Sequence, residues 1–106
     1  MTRKIDFDEL PWVSPAVGMR FKVWAEGNQQ MRVLELDQDF VEPDWCMKAH
    51  TGYVLEGTLE VDFRGRVEMF VAGDGVVIAA GDGHKGRALA GMVRLLLFEN
   101  IVPESA

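Results

Sequence analysis

The sequence predicts an all-β domain built as a jelly-roll barrel, and three observations carry that expectation. From Met19 onward, short segments rich in Val, Leu, Phe and Trp recur between glycines and acids, the spacing of antiparallel strands rather than of strand–helix units. Thr58-Leu-Glu-Val-Asp-Phe63 alternates strictly. Leu59, Val61 and Phe63 face one way and Thr58, Glu60 and Asp62 the other, as a strand with one buried and one wet side requires. Helix signals are scarce, and an all-β chain must hide its sheet edges, which a closed or double-sheet barrel does.

Nine segments are expected as strands: Arg20 to Trp24, Met31 to Asp37, Phe40 to Met47, Gly52 to Glu56, Thr58 to Phe63, Val67 to Val71, Gly75 to Ala79, Lys85 to Leu89 and Met92 to Glu99. Phe63-Arg-Gly-Arg-Val67 supplies a hairpin turn in which Gly65 can take the positive φ a tight connection demands. Leu95-Leu-Leu-Phe98 shows no alternation and is expected at the centre of a sheet, buried on both faces. Residues 1–17 are broken by two prolines and several polar residues. They are expected as an N-terminal arm packing on the barrel, with at most a helical turn capped by Asp6 or Asp8. Residues 18–106 then form the barrel domain. Trp24, Trp45 and Tyr53 are expected to fill the core, with pocket lining as the alternative.

At 106 residues the chain holds one domain. Seventeen acidic against eleven basic residues give a net charge of -6, which repels a phosphate backbone and disfavours nucleic acid as a partner. Cys46 is the only cysteine, so no intrachain disulfide forms. No apolar run reaches membrane-spanning length and no signal-peptide core opens the sequence, so the expectation is a cytoplasmic protein with no membrane partner.

Chemistry-bearing residues are few. The two histidines and the cysteine all fall beside turn–strand junctions. If Phe40 to Met47 is a strand, Asp44 and Cys46 project from the same face, because positions two apart do so. Alternatively Pro43 to Gly52 forms a short helix, which places Cys46 and His50 one turn apart on one side. Alone, Cys46 reads as a small buried hydrophobe and each histidine as an ordinary hydrogen-bonded residue. Taken together, thiolate and imidazole suit Zn²⁺, Fe²⁺, Ni²⁺ or Cu rather than Mg²⁺ or Ca²⁺.

The stretch His50-Thr-Gly-Tyr-Val-Leu-Glu-Gly57-Thr-Leu-Glu-Val-Asp-Phe63 resembles the first conserved motif of the cupin superfamily: two histidines flanking one residue, a glutamate, then a glycine after six more. Gly73-Asp-Gly-Val-Val-Ile-Ala-Ala-Gly81-Asp-Gly-His84 is similar to the second motif, which runs glycine, five residues, proline, one residue, glycine, two residues, histidine. The resemblance implies a double-stranded β-helix barrel with His84 at the second-motif histidine. His50 takes the glutamate position, Cys46 and Asp44 take the two first-motif histidine positions, and Ala79 replaces the proline. It thereby implies a divalent transition metal held by Cys46, His50 and His84, with Asp44 as a further ligand or general base. It also implies a pocket for a small organic ligand, dioxygenase, isomerase or epimerase chemistry, and a homodimer. The altered ligand set leaves a rival reading open, a non-catalytic binding or sensor module that has lost the metal.

Overall fold

Strand formation follows the alternation of apolar side chains. A computed structural model describes residues 3–101, so residues 1–2 of the expected arm and 102–106 of the expected barrel lie outside the described residues. Within them, nine strands run in order: β1 Val13–Ala16, β2 Met19–Glu26, β3 Gln29–Asp37, β4 His50–Glu56, β5 Thr58–Phe63, β6 Arg66–Val71, β7 Gly75–Ile78, β8 Lys85–Ala88 and β9 Met92–Asn100. They make a six-stranded sheet ordered β1-β2-β3-β9-β4-β7 and a three-stranded sheet ordered β6-β5-β8, all antiparallel. The expected jelly-roll architecture is present.

Register decides which side chains meet inside. Leu34 of β3 pairs with Leu95 of β9, which pairs with Val54 of β4, so three inward residues line up across adjacent strands. Leu59 and Val61 of β5 approach them from the other sheet, and Val54, Val61 and Val93 are the most deeply enclosed side chains. Burying such a side chain contributes about 1.5–3 kcal/mol against leaving it exposed. The inward parity also places Gln30, Arg32, His50 and Glu99 side by side at one end of the large sheet.

On the outward face, an ion-pair ladder crosses four strands. Arg20 and Arg94 both bond Glu35, at 2.8 and 2.9 Å, and Arg94 reaches Glu56 at 2.9 Å. Burial pushes the Glu35 carboxyl up, but the two guanidinium hydrogen bonds outweigh it and hold the group below the usual carboxylate range.

Four expectations need correction. Phe40 to Met47 is not a strand. Residues 38–49 form an irregular connection whose single sheet-like element is an isolated bridge at Cys46, and they do not form the alternative helix. Pro43 has no N–H to give a ladder, while Phe40 turns inward and is buried as a plug. Within the expected arm, Val13–Ala16 joins the sheet as edge strand β1, preceded by a 3₁₀ turn at Phe7–Glu9 whose Asp6 cap accepts the Asp8 N–H at 3.0 Å. Leu95-Leu-Leu-Phe98 is central as expected, yet it alternates: Leu95 and Leu97 are buried while Phe98 is half exposed. Trp24, Trp45 and Tyr53 stand outside the core, Tyr53 being 45% exposed.

The β5–β6 hairpin is closed by a two-residue turn with positive φ at both Arg64 (58°) and Gly65 (107°), the geometry that matches strand twist. Among the described residues, no helix is long and apolar enough to cross a membrane.

Gly57 links β4 to β5 with φ +83°, and a Cβ there would lie 2.2 Å from the Met92 carbonyl oxygen. Gly57→Ala therefore combines left-handed strain with a backbone clash. It is expected to destabilise the fold by about 2 kcal/mol or more, measured as a lower urea midpoint at unchanged m-value.

Candidate metal centre

Cys46 is fixed by its backbone. Its N–H donates to the His84 carbonyl at 2.8 Å, and the His84 N–H donates back to the Cys46 carbonyl at 3.0 Å. This reciprocal pair ties the 38–49 connection to the segment entering β8. Further ties flank it: Gly81 N–H to the Met47 carbonyl at 2.9 Å, and Gly86 N–H to Glu42 Oε1 at 3.0 Å. The Trp45 ring stacks between Arg64 and Lys85, whose cationic groups lie 5.1 and 4.8 Å from its centroid.

His50 opens β4 with its ring inward, and its Nδ1 lies 2.9 Å from Glu99 Oε2. Glu99 is a hub. Arg32 donates to both of its oxygens at 2.6 and 2.7 Å, and Gln30 donates to Oε1 at 2.8 Å. Burial alone raises this carboxyl, but bonds from His50, Arg32 and Gln30 and the Arg32 charge outweigh it and lower its pKa to about 2. Glu99 is thus an anion at neutral pH and can only accept, so His50 carries its proton on Nδ1 and a neutral ring keeps its lone pair on Nε2.

His84 is buried and reaches the same state by another route. Its Nδ1 lies 3.0 Å from the Asp82 carbonyl, which also can only accept, so in a neutral ring Nε2 is again the free lone pair. The His50 and His84 rings meet edge to face with centroids 5.2 Å apart.

Cys46, His50 and His84 therefore offer three ligand atoms within 4.8 Å of one another. Cys46 Sγ stands 3.6 Å from His50 Nε2. That separation serves as a thiol hydrogen bond in the metal-free protein. It is also close to the roughly 3.5 Å that separates S and N across a tetrahedral zinc with bonds of about 2.3 and 2.0 Å. Both histidines donate their remote N–H to a fixed acceptor, the outer-shell pattern of metal-binding imidazoles. The donor set fits a transition metal. Asp44 is exposed and stands outside the triad; the shared-face argument for it falls with the missing strand.

Beneath the triad lies a cavity of about 300 Å³, walled mainly by aliphatic residues of both sheets, with Cys46, His50, His84, Glu42 and Lys48 on its polar side. Enclosure between two sheets, one long connection over the mouth and a polar cluster at that mouth make a definite pattern.

Solved structures share the fold. The chain is similar to the polyketide cyclase RemF from Streptomyces resistomycificus, with TM-score 0.80 and 17% identity over 98% of this chain and 83% of that one. A RmlC-like cupin from Shewanella frigidimarina matches with TM-score 0.75 and 16% identity over 97% and 95%. The fold is that of a cupin. The FeII form of HppE also matches, with TM-score 0.75 and 14% identity over 92% of this chain and 59% of that one. A scan against protein-family models and a search of curated proteins found no match.

The three ligand candidates were legible as residues of the cupin motifs, whereas Gln30, Arg32 and Glu99 were not. Their signal is parity: each is a polar residue at a position whose neighbours two along the strand point into the cupin barrel, Arg32 beside Leu34 and Glu99 beside Leu97.

Glu99 links this site to stability. A folded pKa of about 2 against 4.5 stabilises the metal-free protein by about 3 kcal/mol. Because the folded value is the lower one, that contribution is complete above pH 4.5 and disappears as pH falls toward 2. Urea unfolding of metal-free protein is expected to show this loss in the wild type. Glu99→Gln is expected to be less stable at pH 7 and to show a flatter pH dependence over that range.

Proposed function

We propose that this chain is a small metal-binding cupin whose barrel cavity receives a small organic ligand next to an ion held by Cys46, His50 and His84. The observation that carries the reading is a pair of imidazoles whose Nδ1 atoms each face a fixed acceptor, with Cys46 Sγ 3.6 Å from His50 Nε2. Two histidines in one chain adopting that state at a common centre is what a ligand set requires and what isolated core histidines do not need.

The chain's own groups would divide the work. Glu99 keeps the His50 proton on Nδ1 and, through Arg32 and Gln30, fixes the plane of that ring. The Asp82 carbonyl does the same for His84. Cys46 would bind as thiolate, since metal coordination lowers a thiol pKa from roughly 8.5. Three protein ligands would leave a coordination position for a bound ligand, and a Zn²⁺ or Fe²⁺ held by them would supply Lewis acidity. Dioxygenase or isomerase chemistry is the class of reaction we attach to this arrangement.

A second reading, a metal-free binding or sensor module, is favoured by the cavity itself, because an apolar enclosure can hold a ligand without an ion. Elemental analysis of protein purified without added metal, followed by titration of stripped protein with Zn²⁺ and Fe²⁺, separates the two. About one equivalent per chain is expected. His84→Ala and Cys46→Ala are each expected to weaken binding beyond the 10- to 100-fold, roughly, that loss of an outer partner costs. Folded wild-type protein that neither carries nor takes up metal refutes the proposal in favour of the second reading.

A further inference from the structure

The cavity carries charges that the metal reading leaves unused, and they bear on what it accepts. Leu34, Phe40, Leu59, Val61, Ile78 and Leu97 are among the apolar residues that line it and offer no side-chain hydrogen-bonding group. Apart from the triad, three charged residues line it: Arg32, Glu42 and Lys48. Arg32 is neutralised by its two-pronged pairing with Glu99. One oxygen of Glu42 is occupied by the Gly86 N–H at 3.0 Å. Lys48 sits at the exposed rim between Cys46 and His50, and forms no hydrogen bond or ion pair among the described residues.

We propose that the cavity is built for a compact monocarboxylate with an apolar body, its carboxylate at the mouth beside Lys48 and its body against the aliphatic wall. The inference rests on the cavity being a ligand site, as in the function proposed above, and not on the ion. Polyols and sugar acids fit badly: each hydroxyl pushed against this wall loses a water partner and gains none, at a penalty of about tenfold in affinity. An amine would meet Lys48 as a like charge, and its one counter-charge on the lining is Glu42, of whose two oxygens one is held by the Gly86 N–H. The net charge of -6 disfavours anions at long range, so Lys48 is the local group that reverses the preference. At about 300 Å³ the cavity lies at the small end of ligand pockets, roughly 300–1,000 Å³, which points to a single ring or short chain.

Calorimetric titration of the full chain, both metal-stripped and zinc-loaded, tests this with four probes: phenylacetate, 2-phenylethanol, 2-phenylethylamine and galacturonate. Phenylacetate is expected to bind at least about tenfold more tightly than the amine or galacturonate. Lys48→Gln, at an exposed position, is expected to weaken phenylacetate by about three- to tenfold and leave 2-phenylethanol unchanged. Galacturonate or the amine binding as tightly as phenylacetate overturns the inference, as does phenylacetate binding indifferent to Lys48→Gln or absent altogether. Metal uptake without this selectivity overturns it while the metal reading stands. The selectivity appearing in stripped protein that takes no metal upholds it while the metal reading falls.

Discussion

The two hydrogen bonds exchanged by Cys46 and His84 are the constraint on which the rest of the site depends. Cys46 belongs to an irregular connection with no strand of its own, His50 to the large sheet, and His84 to the segment entering the small sheet. Without that bridge, nothing in the register of either sheet brings sulfur and imidazoles to one place. With it, the connection closes over one end of the barrel, Phe40 plugs the interior, and the polar cluster faces an apolar cavity. Trp45 between two cations supports the same closure from outside.

A buried carboxylate is the second element of the design. An unpaired Glu99 would be costly inside the barrel, so the fold surrounds it with Arg32, Gln30 and His50 until its lone pairs are used. The consequence reaches the candidate metal centre: the anion sets which nitrogen of His50 carries the proton. Stability and ligand geometry are in this way written into one hydrogen-bond network, and no buried side-chain polar atom among the described residues is left without a partner.

Much of the barrel was legible in the sequence because strands with one buried face announce themselves by alternation, Leu59-Glu-Val-Asp-Phe63 most clearly. The triad was legible because the cupin motifs fix the spacing of Cys46, His50 and His84. Three things were not. The 38–49 connection carries Phe40, Val41, Trp45 and Met47, so local composition imitates a strand, and only the missing N–H of Pro43 and the tertiary contacts of Trp45 and Phe40 decide otherwise. Asp44 was credited through that missing strand and through its place at the first-motif histidine position, yet it stands outside the cluster of Cys46, His50 and His84. Phe98 and Tyr53 read as interior by hydrophobicity, yet the pleat turns them outward, since an uncovered sheet face can be as apolar as a covered one.

If sulfur and two imidazoles share one ion, X-ray absorption spectroscopy of the zinc-loaded protein reads all three ligands at once. The expected spectrum holds one sulfur scatterer at about 2.3 Å and nitrogen scatterers at about 2.0 Å that carry the outer-shell signature of two imidazoles, the sulfur shell vanishing in Cys46→Ala. A first shell of oxygen and nitrogen alone in the wild type, or a spectrum unaltered by that substitution, would contradict it.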